Sequence, residues 1–151
     1  MKITTAPYVT FNRNCAEAVA FYADLLGAEA QVMTFNDLPP EEGMPELSEA
    51  TKKLVMHAQL VVNGQILLMA SDMVEEFCTA GTGYQPPQGM NVAVTVDSLA
   101  EGKRLFDALA EGGQVQMPFE PTFWAAGFGI VTDRFGTPWM LNAEMRGSMP
   151  V

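Results

Sequence analysis

His57 is the only histidine in the chain, and that limits the chemistry available. A metal site built on two or three imidazoles is excluded within one chain. An oxygen-rich set could still hold a divalent cation, and a shifted site would then pair His57 with Glu144. The simpler expectation for His57 is a half-buried strand residue hydrogen-bonded to its surroundings. Ser71 and Asp72, taken with His57, have the residue types of a hydrolytic triad. Nothing places the serine on a strained elbow, however, and a serine at a strand end is expected to be structural. Cys15 stands in the first turn of a helix, where the dipole can lower a thiol pKa, although a small buried cysteine is the commoner occupant of such a position. Cys78 has no base near it in sequence. Phe123, Trp124, Phe128, Phe135 and Trp139 gather late in the chain, with Tyr8 and Phe11 early in it. Aromatic residues of this number serve either as core or as the wall of a cleft for a small aromatic or apolar molecule.

Charge narrows the partners. Eighteen acidic residues against eight basic ones give a formal net charge of -10. Such a field repels phosphate backbones and anionic membrane surfaces, so nucleic acid and membrane are not expected partners. Two cysteines do not make a disulfide framework. The opening residues show no apolar core of a secretion signal, and no apolar run reaches the length of a membrane span. The expectation is a soluble cytoplasmic protein. Eleven methionines fit a soft core or an adaptable pocket.

The elements that must position these residues form a repeat. Residues 6–12 alternate as a strand, with Tyr8, Thr10 and Asn12 on one side and Val9 and Phe11 on the other. Asn14 with Glu17 reads as a capping box opening a helix. Ala18, Val19, Phe21, Tyr22, Leu25 and Leu26 give its buried face, and Gly27 ends it. Strands follow at 29–35, 54–62 and 65–71, the last two joined by the hairpin signal Asn63-Gly64. Between them, 36–53 is acidic and carries Pro39, Pro40 and Pro45. It reads as one long loop, of the kind that serves as a lid or an insertion. A stretch with Pro86, Pro87, Gly81, Gly83 and Gly89 then links to a second round. That round has a strand at 91–97, a helix from Ser98 with Glu101 completing a second box, and strands at 114–119, 128–132 and 139–144. Setting Asn14 on Ser98 also sets Glu17 on Glu101, Phe21 on Leu105, Tyr22 on Phe106 and Leu25 on Leu109. The fold class is therefore α+β, with two βαβββ modules at 1–75 and 90–151 and a linker at 76–89. A module this short struggles to bury its sheet alone, so the two are expected to pack together or to pair with another chain.

Three stretches carry a family resemblance. They are PYVTFNRNCAEAVAFYADLLGAE, MHAQLVVNGQILLMASD ending at Asp72, and PFEPTFWAAGFGIVTDRFGTPWMLN from Pro118 to Asn142. In order and nearly end to end, they resemble the PhnB-like branch of the vicinal oxygen chelate superfamily, which includes glyoxalase I, extradiol dioxygenases, and fosfomycin- and bleomycin-resistance proteins. The resemblance implies curved mixed sheets, a small-molecule ligand and a homodimer. It also implies, for metal-dependent members, His and Glu ligands on the first and last strands of each module. Those positions fall here near Pro7 or Tyr8, near Met69 or Ser71, near Asn91, and near Met140 or Asn142; none is His, Asp, Glu or Cys. The expected ligand-binding set is thus Tyr8, His57, Asn91, Trp124, Met140 and Asn142, with no metal and no cofactor. Asn91 and Asn142 would anchor a ligand by hydrogen bonds, without a metal's Lewis acidity. The implied function is a metal-free small-molecule binder or a diverged enzyme. The alternatives are a metal-dependent lyase or dioxygenase with an atypical ligand set, and a drug-sequestering resistance protein. A methyltransferase label sometimes given to such proteins finds no glycine-rich turn between a strand and a helix. A phosphonate role finds only Arg134 in the signature region. Asp133, Gly136 and Pro138 in that signature read as turn chemistry.

Overall fold

The computed structural model describes residues 1–39, 46–77 and 83–145. The chain divides into two compact units, Met1–Pro86 and Pro87–Val151.

In the first unit β1 (Tyr8–Phe11) leads into α1 (Cys15–Leu26), followed by β2 (Glu29–Thr34), a short α2 (Glu49–Lys52), β3 (Val55–Val62) and β4 (Gln65–Asp72). The sheet order is β1-β4-β3-β2. The β1–β4 pair is parallel and the other pairs are antiparallel. Strand alternation sends one set of side chains onto α1: Val9 and Phe11, Ala58 and Leu60, Leu68 and Ala70 are buried against Ala18, Val19, Tyr22 and Leu25. Tyr22 is fully buried, with its ring 6.3 Å from that of Phe11. Burying side chains of this size contributes about 1.5–3 kcal/mol each. Asn63 and Gly64 both have positive φ, the conformation a two-residue hairpin of matching twist requires. Gly27, left-handed at φ +63°, closes α1 by donating to the Ala23 carbonyl.

Two local expectations are corrected here. The Asn14 side chain makes no capping hydrogen bond. The first amide of α1, on Cys15, donates instead to Asp72 Oδ1 at 2.9 Å, and Val55 N at the start of β3 donates to Asp72 Oδ2 at 2.9 Å. A carboxylate from the end of β4 thus caps the helix, supported by the helix dipole. The 36–53 stretch is not one featureless loop either. A 3₁₀ turn at Phe35–Asp37 stacks Phe35 on Phe77 at 5.7 Å. Further on, Ser48 Oγ accepts from Thr51 N, and Thr51 Oγ1 donates to Glu76 Oε1 at 2.9 Å. Residues 40–45 of that stretch lie outside the described residues, as do residues 78–82 of the linker, Cys78 among them.

The second unit repeats the plan with β5 (Val92–Val96), α3 (Leu99–Ala110), β6 (Gln114–Glu120), β7 (Gly127–Thr132) and β8 (Pro138–Ala143), in sheet order β5-β8-β7-β6. Its core sets Leu105, Phe106 and Leu109 of α3 on Val131, Trp139, Leu141 and Ala143. Ser98 accepts from Glu101 N, as read from the sequence, while the Glu101 carboxylate pairs with Arg104. A Cβ on Gly129 would sit 2.7 Å from the Phe106 ring and 3.0 Å from the Met117 carbonyl, so only glycine lets β7 pass between them. The structure shows the two βαβββ modules expected from the sequence repeat. Among the described residues no helix is long and apolar enough to cross a membrane.

Candidate functional site

Each sheet covers one face with its helix and, among the described residues, leaves the other without one, and the expected ligand-binding residues on strands project from these open faces. In the first module, register sets Tyr8 beside Met69, Met69 beside Gln59, and Gln59 beside Gln31. The next row along the strands carries Thr10 beside Ser71, and His57 beside Met33. Tyr8 and His57 are therefore neighbours. The phenol oxygen lies 3.4 Å from His57 Nδ1 and the ring centroids are 5.8 Å apart. Gln59 Nε2 donates to Gln31 Oε1 at 2.6 Å, and Gln31 Nε2 to Glu29 Oε1 at 3.3 Å. His57, Gln59, Gln31 and Met33, with Val32, line a depression of about 190 Å³. A larger hollow of about 640 Å³ lies where residues 2–6 pass the start of β4, and it reaches Ile66, Leu67 and Met69.

The open face of the second module is amide and aromatic. Thr95 pairs with Asn142 and Asn142 with Phe128, while Ala93 pairs with Met140 and Met140 with Ile130. Trp124 meets Phe128 edge-on at 5.2 Å, and Phe123 meets Trp124 edge-on at 4.8 Å. Phe123 is 89% exposed and Trp124 48%. Trp124, Asn142 and Met140 thus share one face, with Phe128 as the link. Asn91 sits one residue ahead of β5 and is exposed. The β5 residue matching Tyr8 by register is Ala93, since Tyr8 pairs with Met69 as Ala93 pairs with Met140.

Sequence reading missed Gln31 and Gln59. Their alternation with Glu29 and His57 on two strands was visible, but two amides become a unit only once β2 is paired with β3. It also split the aromatic set too coarsely. Phe11, Phe135 and Trp139 are core residues.

The nucleophilic alternatives fail on geometry. Ser71 and His57 project from the open face, but Asp72 points to the helix side, buried and engaged with Cys15 N and Val55 N. No triad can form from them. The Cys15 thiol is buried, and burial first, then the Asp72 carboxylate, pushes its pKa up to about 12. The helix dipole does not win against that desolvation. Cys15 is expected to resist iodoacetamide at about pH 8 in the folded protein and to react on unfolding, with peptide mass spectrometry separating it from Cys78. Because the folded pKa is the higher one, the protonated thiol contributes stability that is fully present below 9.0 and is lost as pH rises through about 12. Cys15→Ala is expected to flatten that alkaline limb in urea titrations.

Asp133, in the signature region, is buried too. Its Oδ1 accepts from Phe135 N at 2.9 Å and Thr137 N at 3.0 Å, and its Oδ2 accepts from Trp139 Nε1 at 2.8 Å. The D-x-F-G-x-x-W spacing is thus the wiring of the β7–β8 turn.

The strand positions at which the family resemblance implies metal ligands, with Ala93 added by register, present a phenol at Tyr8, thioethers at Met69 and Met140, a hydroxyl at Ser71, a methyl at Ala93 and an amide at Asn142. This donor set lacks the imidazole and carboxylate groups that hold zinc, iron or manganese, so it does not fit such an ion. Among the described residues, no group of three or more His, Cys, Asp and Glu side chains is placed to hold a metal.

Comparison with known proteins agrees with this architecture. The chain is 34% identical over 143 residues to protein YjdN of Escherichia coli K12, covering 91% of this chain and 92% of that protein. The crystal structure of protein PA1353 from Pseudomonas aeruginosa is 44% identical, with a TM-score of 0.79 over 95% of this chain and 98% of that one. A PhnB protein from Bacillus cereus shares the fold at 24% identity, with a TM-score of 0.68 over 93% of this chain and 99% of that one. Residues 5–141 match the pattern of one family, and on that match and the YjdN relationship the chain belongs to the Glyoxalase/Bleomycin resistance protein/Dioxygenase superfamily.

Proposed function

We propose that this protein binds a small organic molecule on the open faces of its sheets without a resident metal ion. The observation that carries the reading is the register of β1 with β4 and of β5 with β8. It supports the reading by setting Tyr8 beside Met69, Thr10 beside Ser71, Ala93 beside Met140 and Thr95 beside Asn142, on strands where the family resemblance implies metal ligands in metal-dependent members. These groups orient and enclose a ligand through hydrogen bonds and polarizable contact. They supply no Lewis acid. The Phe123–Trp124–Phe128 set adds flat apolar surface suited to an aromatic or apolar ligand. The reading keeps the cytoplasmic location expected from the sequence and the homodimer that the family resemblance implies.

Elemental mass spectrometry tests it directly, on untagged protein purified without chelator and dialysed against metal-free buffer. Less than about a tenth of an equivalent of any transition metal per chain is expected, as for a site without deprotonated N or S ligands. Near-stoichiometric metal that disappears in His57→Ala or Glu144→Gln would overturn the reading and revive a metal-dependent lyase or dioxygenase.

A further inference from the structure

The depression lined by Gln31, Val32, Met33, His57 and Gln59 contains an amide pair whose polarity is fixed from one end. Glu29 is a carboxylate and only accepts hydrogen bonds. The Gln31 amide must therefore turn its NH₂ toward Glu29, as the 3.3 Å contact shows. Its carbonyl then faces Gln59, which must donate, and does so at 2.6 Å. Gln59 is left with its carbonyl Oε1 as the uncommitted end of the chain. Among the described residues no donor meets that oxygen, and His57 Nε2 likewise has no protein partner. Amide orientation is usually ambiguous in isolation, but a terminal carboxylate removes the ambiguity for both residues.

We propose, building on the metal-free binding reading above, that this depression is a subsite selective for a hydrogen-bond donor. It takes the hydroxyl or amine head of a neutral or cationic small molecule, seated against Gln59 Oε1, with the apolar part over Met33. Residues two apart on one strand lie roughly 7 Å from each other, so a second polar group of the same ligand reaches His57 several bonds away. No lysine or arginine lines the depression, Glu29 is close by, and the chain is strongly acidic. Carboxylates and phosphates are therefore excluded by the same groups that select the donor.

Amide NMR of the full chain, in buffer containing EDTA, tests this with three matched fragments at millimolar concentration: benzyl alcohol, benzyl methyl ether and benzoate. The alcohol can donate, the ether only accepts, and the benzoate is an anion. The alcohol is expected to shift the amides of Gln31, Met33, His57 and Gln59, with the ether about tenfold weaker, as befits one lost hydrogen bond, and benzoate without effect. Gln59→Leu is expected to abolish the preference for the alcohol. Glu29→Gln is expected to bring alcohol and ether to near parity, because Gln31 and Gln59 can then reverse together. Both are surface changes, and the spectrum itself reports whether the variant is folded. Equal shifts from alcohol and ether in the wild type, or none from any fragment, would overturn the proposal. Shifts at Tyr8 or Asn142 with none at Gln31 and Gln59 would overturn it while leaving the metal-free reading standing. Shifts that require a divalent metal in place of EDTA would instead defeat that underlying reading.

Discussion

Asp133→Ala is expected to lower the stability of the protein by about 4 kcal/mol, the combined effect of three donors losing a charged acceptor in a buried turn. The Phe135 and Thr137 amides and the Trp139 indole all converge on this one carboxylate. The turn is tied further by Asp133 N donating to the Thr137 carbonyl and Gly136 N to the Asp133 carbonyl. Removing the carboxylate leaves polar groups with little access to water, since Asp133, Thr137 and Trp139 are all buried. Urea unfolding should show the loss as a lowered midpoint with an unchanged slope. Asp133→Asn separates the components. Its remaining oxygen can serve the two backbone amides, but its NH₂ then faces the indole N–H, donor against donor. About 2 kcal/mol is expected for that variant. The penalty should shrink in a Trp139→Phe background, where the clash is gone, giving a coupling of about 1 kcal/mol or more in the double-mutant cycle. Independent effects of the two changes would mean that the indole–carboxylate bond is not what holds the turn.

Asp72→Ala is expected to cost about 3 kcal/mol, because two backbone donors lose a buried ionised acceptor. Those donors belong to different elements, the first turn of α1 and the start of β3. The loss should therefore appear in two places at once. Hydrogen exchange at the Cys15 and Val55 amides should accelerate together, ahead of the α1 interior. The second module supplies an internal control. Register places Ala143 where the first module has Asp72, and α3 takes its cap from its own neighbour Ser98. Ser98→Ala should cost only about 1 kcal/mol, the usual loss of an N-cap side chain. If the two substitutions prove equally costly, Asp72 is an ordinary cap and does not join the two elements.

The internal repeat was legible in the sequence because its signals are local. Helical spacing at Ala18, Val19, Tyr22 and Leu25, alternation at Tyr8–Phe11, the positive-φ pair Asn63-Gly64 and the stop at Gly27 each depend on a residue and its near neighbours. The structure agrees with them to within a residue or two at most ends. So does the offset that sets Tyr22 on Phe106 and Leu25 on Leu109, since both pairs are buried. Local signals fail where a distant group competes for the same hydrogen bond. Asn14 has the right residue type to cap α1, yet its side chain makes no capping bond, and the first helical amide, on Cys15, is held by a carboxylate 57 residues beyond it. The candidate site is divided in the same way. His57, Tyr8, Trp124, Met140 and Asn142 could be picked out as residues able to contact a ligand, but not as neighbours. Tyr8 meets His57, and Gln31 meets Gln59, only after β1, β4, β3 and β2 are paired in one register. A shift of one residue in that pairing would send every one of these side chains to the helix side. The sequence by itself determined the eight strands, the two long helices, their repeat and the absence of a metal-binding residue at each expected strand position, all properties of residue type and short spacing. Strand register, which is settled by burying Val9, Phe11, Leu60 and Leu68 against α1, alone decided which polar groups share an open face.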